Sequence, residues 1–370
     1  MHASTPPAPS RIDPPTITRL YWLALTHIER VGSVRAQCLV ERFGSPQGAF
    51  AASRMELSDL PSALHNDTID ALLAGPDLLW ARRQVSMAES LGASVICLDD
   101  PDYPESLRQI PSPPPVLFAQ GVLGLVCPRA VAVVGTRKPS VNGQETTRRL
   151  CRDWAANGIR IVSGLARGID EIAHRTALEQ GGETIAVLGC PLDGLGTDGR
   201  GKLAQQIASA GVIITEHPFG APVVPGNFVR RNRIISGLAQ AVVVTEAPMG
   251  SGALITARNA LEQNRELLTC PGPADSSTFE GNFTLLRQGA GLCARPDDLW
   301  HAMGWKARSV HQDNPSDSPV VRLLRRTDAS LEEIALETQT PIAQLQGELV
   351  LLEMAGRIQR MGGSRFRIVA

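Results

Sequence analysis

Four short segments of the sequence combine glycine, serine or threonine with arginine or with the start of a helix. Glycine lets a backbone approach a ligand closely, hydroxyl and N–H groups donate hydrogen bonds, and the planar guanidinium fork fits phosphate oxygens. A helix that begins at such a turn adds free N–H groups and a positive dipole end. The sequence therefore predicts phosphate binding by Gly135, Thr136, Arg137, Ser163, Gly164, Arg167, Arg231, Asn232, Arg233, Ser251 and Gly252, with Phe228 beside these arginines.

The elements that must position these residues are apolar runs, each followed by a glycine turn and an amphipathic helix. The runs are near-continuous in Val and Ile, as strands buried on both faces require. They cover residues 131–134, 159–162, 184–188, 212–215, 241–245 and 266–269. Strands separated by helices predict an α/β fold with a Rossmann-like, doubly wound, mostly parallel sheet. The predicted turns then meet at one edge of that sheet, where open α/β sheets bind ligands.

The overall charge gives no sign of a polyanion partner, whereas the local charge does. The chain has 370 residues with 36 Lys and Arg against 37 Asp and Glu, a net charge of −1, which excludes a bulk polycation. Residues 129–175, however, hold nine basic and four acidic residues. Repeated arginines suit a chain of phosphates better than a single phosphate, and Phe228 could offer a stacking face to a base.

The domain organisation follows from changes of pattern along the chain. Residues 1–17 are rich in Pro, Ser and Thr and are expected to be disordered, and residues 18–91 predict a small helical domain with a helix-hairpin-helix. Its hairpin could contact DNA or simply pack its helices. Residues 92–304 form the Rossmann-like domain, residues 305–318 a polar linker, and residues 319–370 a winged-helix-like domain. Winged helices bind either duplex DNA or proteins, and both readings stay open.

Several other classes of site lack support in the sequence. The seven cysteines are scattered singly, so neither a disulfide framework nor a metal site is expected, and no cofactor is predicted. No apolar run approaches the length of a membrane span, which predicts a cytoplasmic protein. Asp170, Glu171 and His174 could form an acid/base set, but no nucleophile or metal ligand accompanies them.

The glycine-rich loop around residues 194–202 matches two nucleotide motifs only in part. Its GxGxxG spacing does not follow a strand directly, as a dinucleotide fingerprint must. Its P-loop-like spacing continues with Leu203 where a hydroxyl would hold magnesium. We expect a loop on the protein surface here.

The assembled motifs resemble those of the DprA/Smf family of bacterial DNA-processing proteins. The resemblance spans about residues 94–299 and rests on these segments, in order: DPDYPESLRQIPSPPPVLFAQG, VAVVGTRKPS, SGLARGIDEIAH, TIAVLG, NFVRRNRIISGL, EAPMGSGALITA and TCPG. The family's Gly-Ser-Arg turn matches Gly135-Thr136-Arg137, with Thr for Ser. Its Phe-Pro-x-Arg-Asn-Arg motif matches residues 228–233, with Val229 for Pro, and Pro225 stands where some members carry a basic residue.

This resemblance implies a homodimeric, non-enzymatic protein that binds single-stranded DNA and helps load RecA on it during natural transformation. In that interpretation Arg137, Arg167, Arg231 and Arg233 hold phosphates, and Phe228 contacts a base. The alternative is a nucleotide-processing hydrolase that cleaves the N-glycosidic bond of nucleoside monophosphates on a similar fold. GSGALITA is only partly like the loop such enzymes need, and no Glu follows Thr256.

Overall fold

The structure is a computed structural model that describes residues 14–60, 64–122, 124–195, 200–306, 318–324, 329–355, 357–361 and 365–368. The chain divides into two compact units, residues 1–306 and 307–370, and each is considered by itself. In neither unit is a described helix long and apolar enough to cross a membrane.

A nine-stranded sheet forms the centre of the first unit, with the order β1-β2-β6-β5-β4-β3-β7-β8-β9. Its strands are β1 Ala93–Cys97, β2 Val116–Gly121, β3 Ala130–Val134, β4 Arg160–Ser163, β5 Thr184–Val187, β6 Val212–Thr215, β7 Ala241–Val244, β8 Glu266–Thr269 and β9 Gly291–Leu292. All neighbours from β6 to β9 pair in parallel, and β2 pairs antiparallel with both β1 and β6. The predicted doubly wound, mostly parallel sheet is confirmed.

Helices precede, connect and cover these strands. They are α1 Pro14–His27, α2 Ser33–Phe43, α3 Pro46–Ala51, α4 Arg54–Ser58, α5 Asn66–Leu73, α6 Leu78–Ser90, α7 Glu105–Arg108, α8 Val141–Ala156, α9 Ile169–Glu179, α10 Gly201–Ala210, α11 Pro225–Leu238, α12 Gly252–Glu262, α13 Glu280–Arg287 and α14 Pro296–Met303. Successive side chains of a strand point to opposite faces. Thus Val131 and Val133 pack with α8, α9 and α14, whereas Ala132 and Val134 pack with α11 and α12.

The proline-rich stretch before β3 contributes more to the sheet than the sequence predicts. The sequence before residue 130 predicts one strand and then a proline-rich connecting arm, but Val116–Gly121 forms β2, which joins β1 to β6. Prolines at 113–115 end immediately before this strand. The N–H groups of residues 116–121 therefore remain available for ladder hydrogen bonds.

The six N-terminal helices share a hydrophobic core with the β1–β2 end of the sheet. Trp22, Leu39 and Leu72 of these helices belong to one buried cluster with Phe118 and Ile213 of the strands. The predicted helical domain of residues 18–91 is therefore packed on the sheet within one unit. Residues 14–17, which we expected to be disordered, belong to α1, since proline is accommodated in a first helical turn. Residues 1–13 lie outside the described residues.

The second unit confirms the predicted winged helix. It contains α15 Pro319–Leu324, β10 Ala329–Ser330, α16 Leu331–Thr338, α17 Ile342–Met354, β11 Ile358–Met361 and β12 Arg365–Ile368. β12 pairs antiparallel with β10 and β11, and Ile334, Leu345 and Phe366 belong to its core. Of the predicted linker, residues 307–317 lie outside the described residues. Trp305 belongs to the first unit, with its ring centroid 6.4 Å from that of Trp300.

Phe118 tests how much the core shared by the N-terminal helices and the sheet contributes to stability. The side chain is 1% exposed, and its ring lies edge-on to Phe219 at 5.3 Å between centroids. Phe118→Ala should lower the free energy of unfolding by about 3–5 kcal/mol, because it opens a cavity between helices and sheet. Denaturant unfolding followed by circular dichroism measures this loss. Val126→Ala, at a side chain 63% exposed, should change it by no more than about 0.5 kcal/mol.

Candidate functional site

Two adjoining clefts open where β3 and β7 end. The winding of the sheet reverses here, because β4 follows β3 on one side and β7 lies on the other. Such switch points are where open α/β sheets bind ligands. The smaller cleft has a volume of about 370 Å³ and the larger about 770 Å³. Both are lined by Arg137, Ala166, Phe228 and Val229, so these residues form the border between them.

The turn after β3 is held close to the next two elements. Thr136 donates its N–H to the carbonyl of Glu246 at 2.7 Å and accepts from the N–H of Ile169 at 3.2 Å. A β-carbon on Gly135 would lie 2.5 Å from Cγ1 of Ile169, so only glycine fits. The turn is thereby fixed, and the exposed side chain of Arg137 extends from it.

The beginning of α8, which follows this turn, is closed by the protein's own carboxylate. Glu246 is fully buried, and its Oε2 accepts hydrogen bonds at 2.9 Å from both the N–H and the hydroxyl of Ser140. Ser140 in turn caps α8 by accepting from the N–H of Gly143. A β-carbon on Gly143 would overlap the Glu246 carboxylate. In this fold a phosphate usually binds at the beginning of the first helix, and here the Glu246 carboxylate occupies that position.

The turn after β4 separates a buried serine from an exposed arginine. Ser163 is fully buried and donates its hydroxyl to the carbonyl of Val133 at 2.6 Å, so it stabilises the sheet. Gly164, the next residue, is also buried. Arg167, further along the turn, is exposed and lines the larger cleft.

The side chains of the Phe-x-x-Arg-Asn-Arg segment lie on α11 but in different surroundings. Phe228 is half-buried, lines both clefts and packs on Gly189, where a β-carbon would lie 2.7 Å from its Cδ1. Arg231 borders the smaller cleft, but its guanidinium is buried in contact with backbone carbonyls. Asn232 donates to the carbonyl of Gly252 at 3.2 Å and so joins α11 to α12.

Arg233 lies away from both clefts. Its guanidinium forms a bidentate ion pair with Glu216 at 2.9 and 2.7 Å and donates to the Ser33 hydroxyl at 3.0 Å. It therefore links α11 to the N-terminal helices. Consecutive residues on a helix differ by about 100° in direction, which separates position 233 from positions 228 and 231.

The beginning of α12 completes the smaller cleft. Ser251 caps the helix by accepting from the N–H of Ala253 at 3.3 Å, and Ser251 and Gly252 both line the cleft. Gly250, with φ of 77°, makes the preceding turn in the left-handed region that favours glycine. The positive end of the α12 dipole therefore faces this cleft.

Four basic side chains line the larger cleft: Arg137, Lys138, Arg167 and Arg200. The first three make no side-chain hydrogen bond or ion pair with any residue that the structure describes. Sequence reasoning missed Lys138 and Arg200 as site residues. Lys138 directly follows the predicted turn, but Arg200 belongs to the glycine-rich loop, of which residues 196–199 lie outside the described residues. No acidic residue is among the described residues that line this cleft.

Of the residues considered as an acid/base set, Asp170 and His174 are buried, whereas Glu171 is partly exposed in an ion pair with Arg175. Asp170 borders the smaller cleft but accepts from backbone N–H groups, and burial raises the pKa of its carboxyl group. His174 is fully buried with Nδ1 2.7 Å from the Thr184 hydroxyl, and burial lowers its pKa to about 3. An imidazole held neutral in this way is a poor proton acceptor near neutral pH. Among the described residues no group of three metal-ligating side chains occurs.

Fold and site together define a Rossmann-like α/β protein with a cationic cleft at its switch point and a second, winged-helix unit. The family model for DNA recombination-mediator protein A matches residues 94–304, and the DprA winged helix domain matches residues 305–364. The chain belongs to the DNA recombination-mediator protein A family, the DprA/Smf proteins.

Several curated proteins are similar in sequence to most of this chain. Protein Smf of Synechocystis sp. is 37% identical over 290 residues, which cover 77% of this chain and 72% of that protein. Protein Smf of Escherichia coli is 34% identical over 329 residues, covering 82% and 88%. The putative DNA processing protein DprA of Mycobacterium tuberculosis is 32% identical over 388 residues, covering 97% and 95%.

Solved structures of DNA processing protein A are among those similar to this chain. DNA processing protein A from Streptococcus pneumoniae superposes with a TM-score of 0.67 and 28% identity, over 77% of this chain and 96% of that one. DNA processing protein A from Helicobacter pylori, described for its single-stranded DNA binding mode, has a TM-score of 0.52 and 30% identity. It covers 57% of this chain and 95% of that one.

Gly143→Ala tests the closure of α8 by Glu246. The added methyl group would displace the buried carboxylate, which should lower the free energy of unfolding by about 1–3 kcal/mol. Gly226→Ala makes the same chemical change in α11. There the added methyl group would have nothing within 4 Å apart from its chain neighbours and the backbone of its own helix, so stability should change by no more than about 1 kcal/mol. Equal effects of the two substitutions in denaturant unfolding would contradict the proposed closure.

The neutral His174 should make stability depend on pH. Its pKa is about 3 in the folded protein and about 6.5 in the unfolded chain, so between these two pH values only the unfolded chain binds this proton. The free energy of unfolding should therefore fall by about 1.4 kcal/mol per pH unit from this group as the pH decreases. His174→Asn removes that contribution. Parallel stability profiles of the two proteins between pH 7 and 5 would refute this assignment.

Proposed function

We propose that this protein binds single-stranded DNA along the larger cleft, without sequence preference. The observation that carries the proposal is the set of unpaired cations, Arg137, Lys138 and Arg167, beside the half-buried ring of Phe228. Cationic grooves that follow a phosphate chain, with aromatic rings on which bases stack, are how proteins bind single strands. The Helicobacter pylori relative, described for its single-stranded DNA binding, supports the same interpretation.

The smaller cleft would receive a neighbouring phosphate or sugar. Thr136, Ser251 and Gly252 border it with hydroxyl and backbone groups, and the α12 dipole favours an anion there. Among the described residues lining the two clefts, the single carboxylate is that of Asp170, which already accepts hydrogen bonds from the backbone. Binding rather than catalysis is the role that we propose. Release of free base from nucleoside monophosphates would contradict it.

We also propose that the protein is a cytoplasmic homodimer that loads RecA on single strands during natural transformation. Support for this comes from the family, whose model is described as DNA recombination-mediator protein A. The test is RecA-dependent strand exchange on DNA covered by single-strand-binding protein. Addition of this protein should shorten the lag before exchange, and an unchanged lag would reject the RecA role. Light scattering after size exclusion measures the oligomeric state.

Arg137→Ala and Arg167→Ala test the DNA interface. A hydrogen bond to a charged group contributes at least about 1.5 kcal/mol, so each variant should bind a labelled oligothymidylate about ten-fold more weakly. The slope of log affinity against log salt should become less negative by about 0.7 for each phosphate that the variant no longer neutralises. Fluorescence anisotropy over a range of salt concentrations gives both values.

Arg83→Ala is the matched control, because Arg83 is exposed on α6 and has no hydrogen bond or ion pair among the described residues. It removes the same charge and should leave affinity and salt slope unchanged. If all three variants weaken binding equally, the interface lies elsewhere. Tighter binding of duplex DNA than of single strands would reject the proposal that the cleft binds single-stranded DNA.

Phe228→Ala tests the stacking face. Base stacking on an aromatic side chain is worth about 1–3 kcal/mol, so affinity should fall while the salt slope stays the same. Phe228→Tyr preserves the ring and should restore most of the affinity. A changed salt slope in Phe228→Ala would instead indicate that the ring positions the phosphate-binding side chains.

A further inference from the structure

Arg231 lies inside the protein, although the sequence places it in a motif of DNA-binding residues. Its side chain is 4% exposed, and Nη1 donates to the carbonyl of Gly164 at 2.5 Å and to that of Val187. These two carbonyls lie at the ends of the neighbouring strands β4 and β5. Both protons of Nη1 are therefore used to connect α11 with the sheet.

Asp170 holds the same segment from its other side. Its Oδ2 accepts from the N–H of Gly164 at 3.2 Å and from that of Ala166 at 3.4 Å. The N–H and the carbonyl of Gly164 are thus both bound to buried charged groups of opposite sign. A β-carbon at position 164 would overlap the Arg231 guanidinium, so the clamp also requires this glycine.

The segment beyond the clamp has a conformation that needs support. Leu165 has φ of 53° and Gly168 has φ of 86°, both in the left-handed region. A leucine adopts this region only where its surroundings enforce it. The side chain of Leu165 is buried, and its carbonyl accepts from Arg200 at 2.6 Å. Between these two residues the exposed Arg167 extends into the larger cleft.

We infer that Arg231 is a positioning residue for DNA binding: with Asp170 it fixes residues 164–168 so that Arg167 points into the larger cleft. Arg231 acts through Arg167 and does not hold a phosphate itself. The inference rests on the proposed single-stranded DNA binding. The exposed Arg167 would contact the DNA, and the buried Arg231 would hold the segment that carries Arg167.

A double-mutant cycle in the full-length chain tests the inference. Arg231→Met and Arg167→Ala are combined, and affinity for a labelled oligothymidylate is measured well below the unfolding temperature of each variant. Each single variant should bind about ten-fold more weakly, and the double variant should bind no more weakly than Arg231→Met alone. Independent losses that multiply would show that Arg231 contacts DNA by itself, and unchanged affinity of Arg231→Met would also overturn the inference.

Arg160→Met is the matched control for general destabilisation. Arg160 is 6% exposed at the start of the same strand, β4, and donates to the Gly124 carbonyl at 2.7 Å and to Glu183 at 2.8 Å. The substitution likewise removes a buried guanidinium, but its acceptors, Gly124 and Glu183, are exposed and lie at the opposite end of the strand from the clefts. Its affinity should equal that of the unmodified protein. A ten-fold decrease in the affinity of Arg160→Met would assign the effect of Arg231→Met to lower stability.

Arg231→Lys and hydrogen exchange keep the inference testable if Arg231→Met does not fold. Lysine retains the charge but is shorter than arginine, so the amides of Gly164 and Ala166 should exchange faster in DNA-free protein, with other amides of the sheet unchanged. Unaltered protection of these two amides would refute the clamp. This measurement needs no DNA. Failure of the unmodified protein to bind single strands would instead reject the proposed function alone.

Discussion

The contact between Glu246 and the beginning of α8 determines where an anion can bind in this fold. In an open α/β sheet the helix after the first central strand normally presents its free N–H groups to a phosphate. Here a buried carboxylate from the end of β7 accepts from Ser140, which caps that helix. The turn after β3 is drawn toward Glu246 through the N–H of Thr136. Arg137 and Lys138 consequently project beside this position and into the larger cleft.

This closure explains why a Rossmann-like sheet need not bind a dinucleotide. A pyrophosphate at α8 would have to displace a fully buried carboxylate, and Gly143 leaves room for the carboxylate only. What remains open is a surface formed by the turns after β3, β4 and β7 and by one face of α11. Such a surface suits an extended chain of phosphates, because its donors are spread over several elements rather than converging on one helix.

The sequence predicts the strands of this protein well because strands buried on both faces must be apolar throughout, as residues 131–134 and 241–244 are. It predicts the winged helix from three short helical patterns and from the Gly362-Gly363 pair between two apolar stretches. It misses β2, since the prolines before it conceal that the following residues can donate to a ladder.

At the site, the pattern Arg-Arg-Asn-Arg identifies α11 but not the direction of each side chain. The burial of Arg231 depends on the missing β-carbon of Gly164, more than sixty positions away, and the ion pair of Arg233 depends on Glu216. Long-range partners of this kind leave no local signal.

The unpaired cations of the larger cleft have a consequence for the protein without DNA. Arg137, Lys138 and Arg167 repel one another, so the free protein should gather anions from solution into this cleft. A DNA strand that binds there as proposed would displace the protein's bound anions and also release its own cations. The identity of the buffer anion therefore matters in addition to the ionic strength. Weakly bound acetate or glutamate would leave the cleft accessible, whereas sulfate or phosphate would compete for the same three side chains.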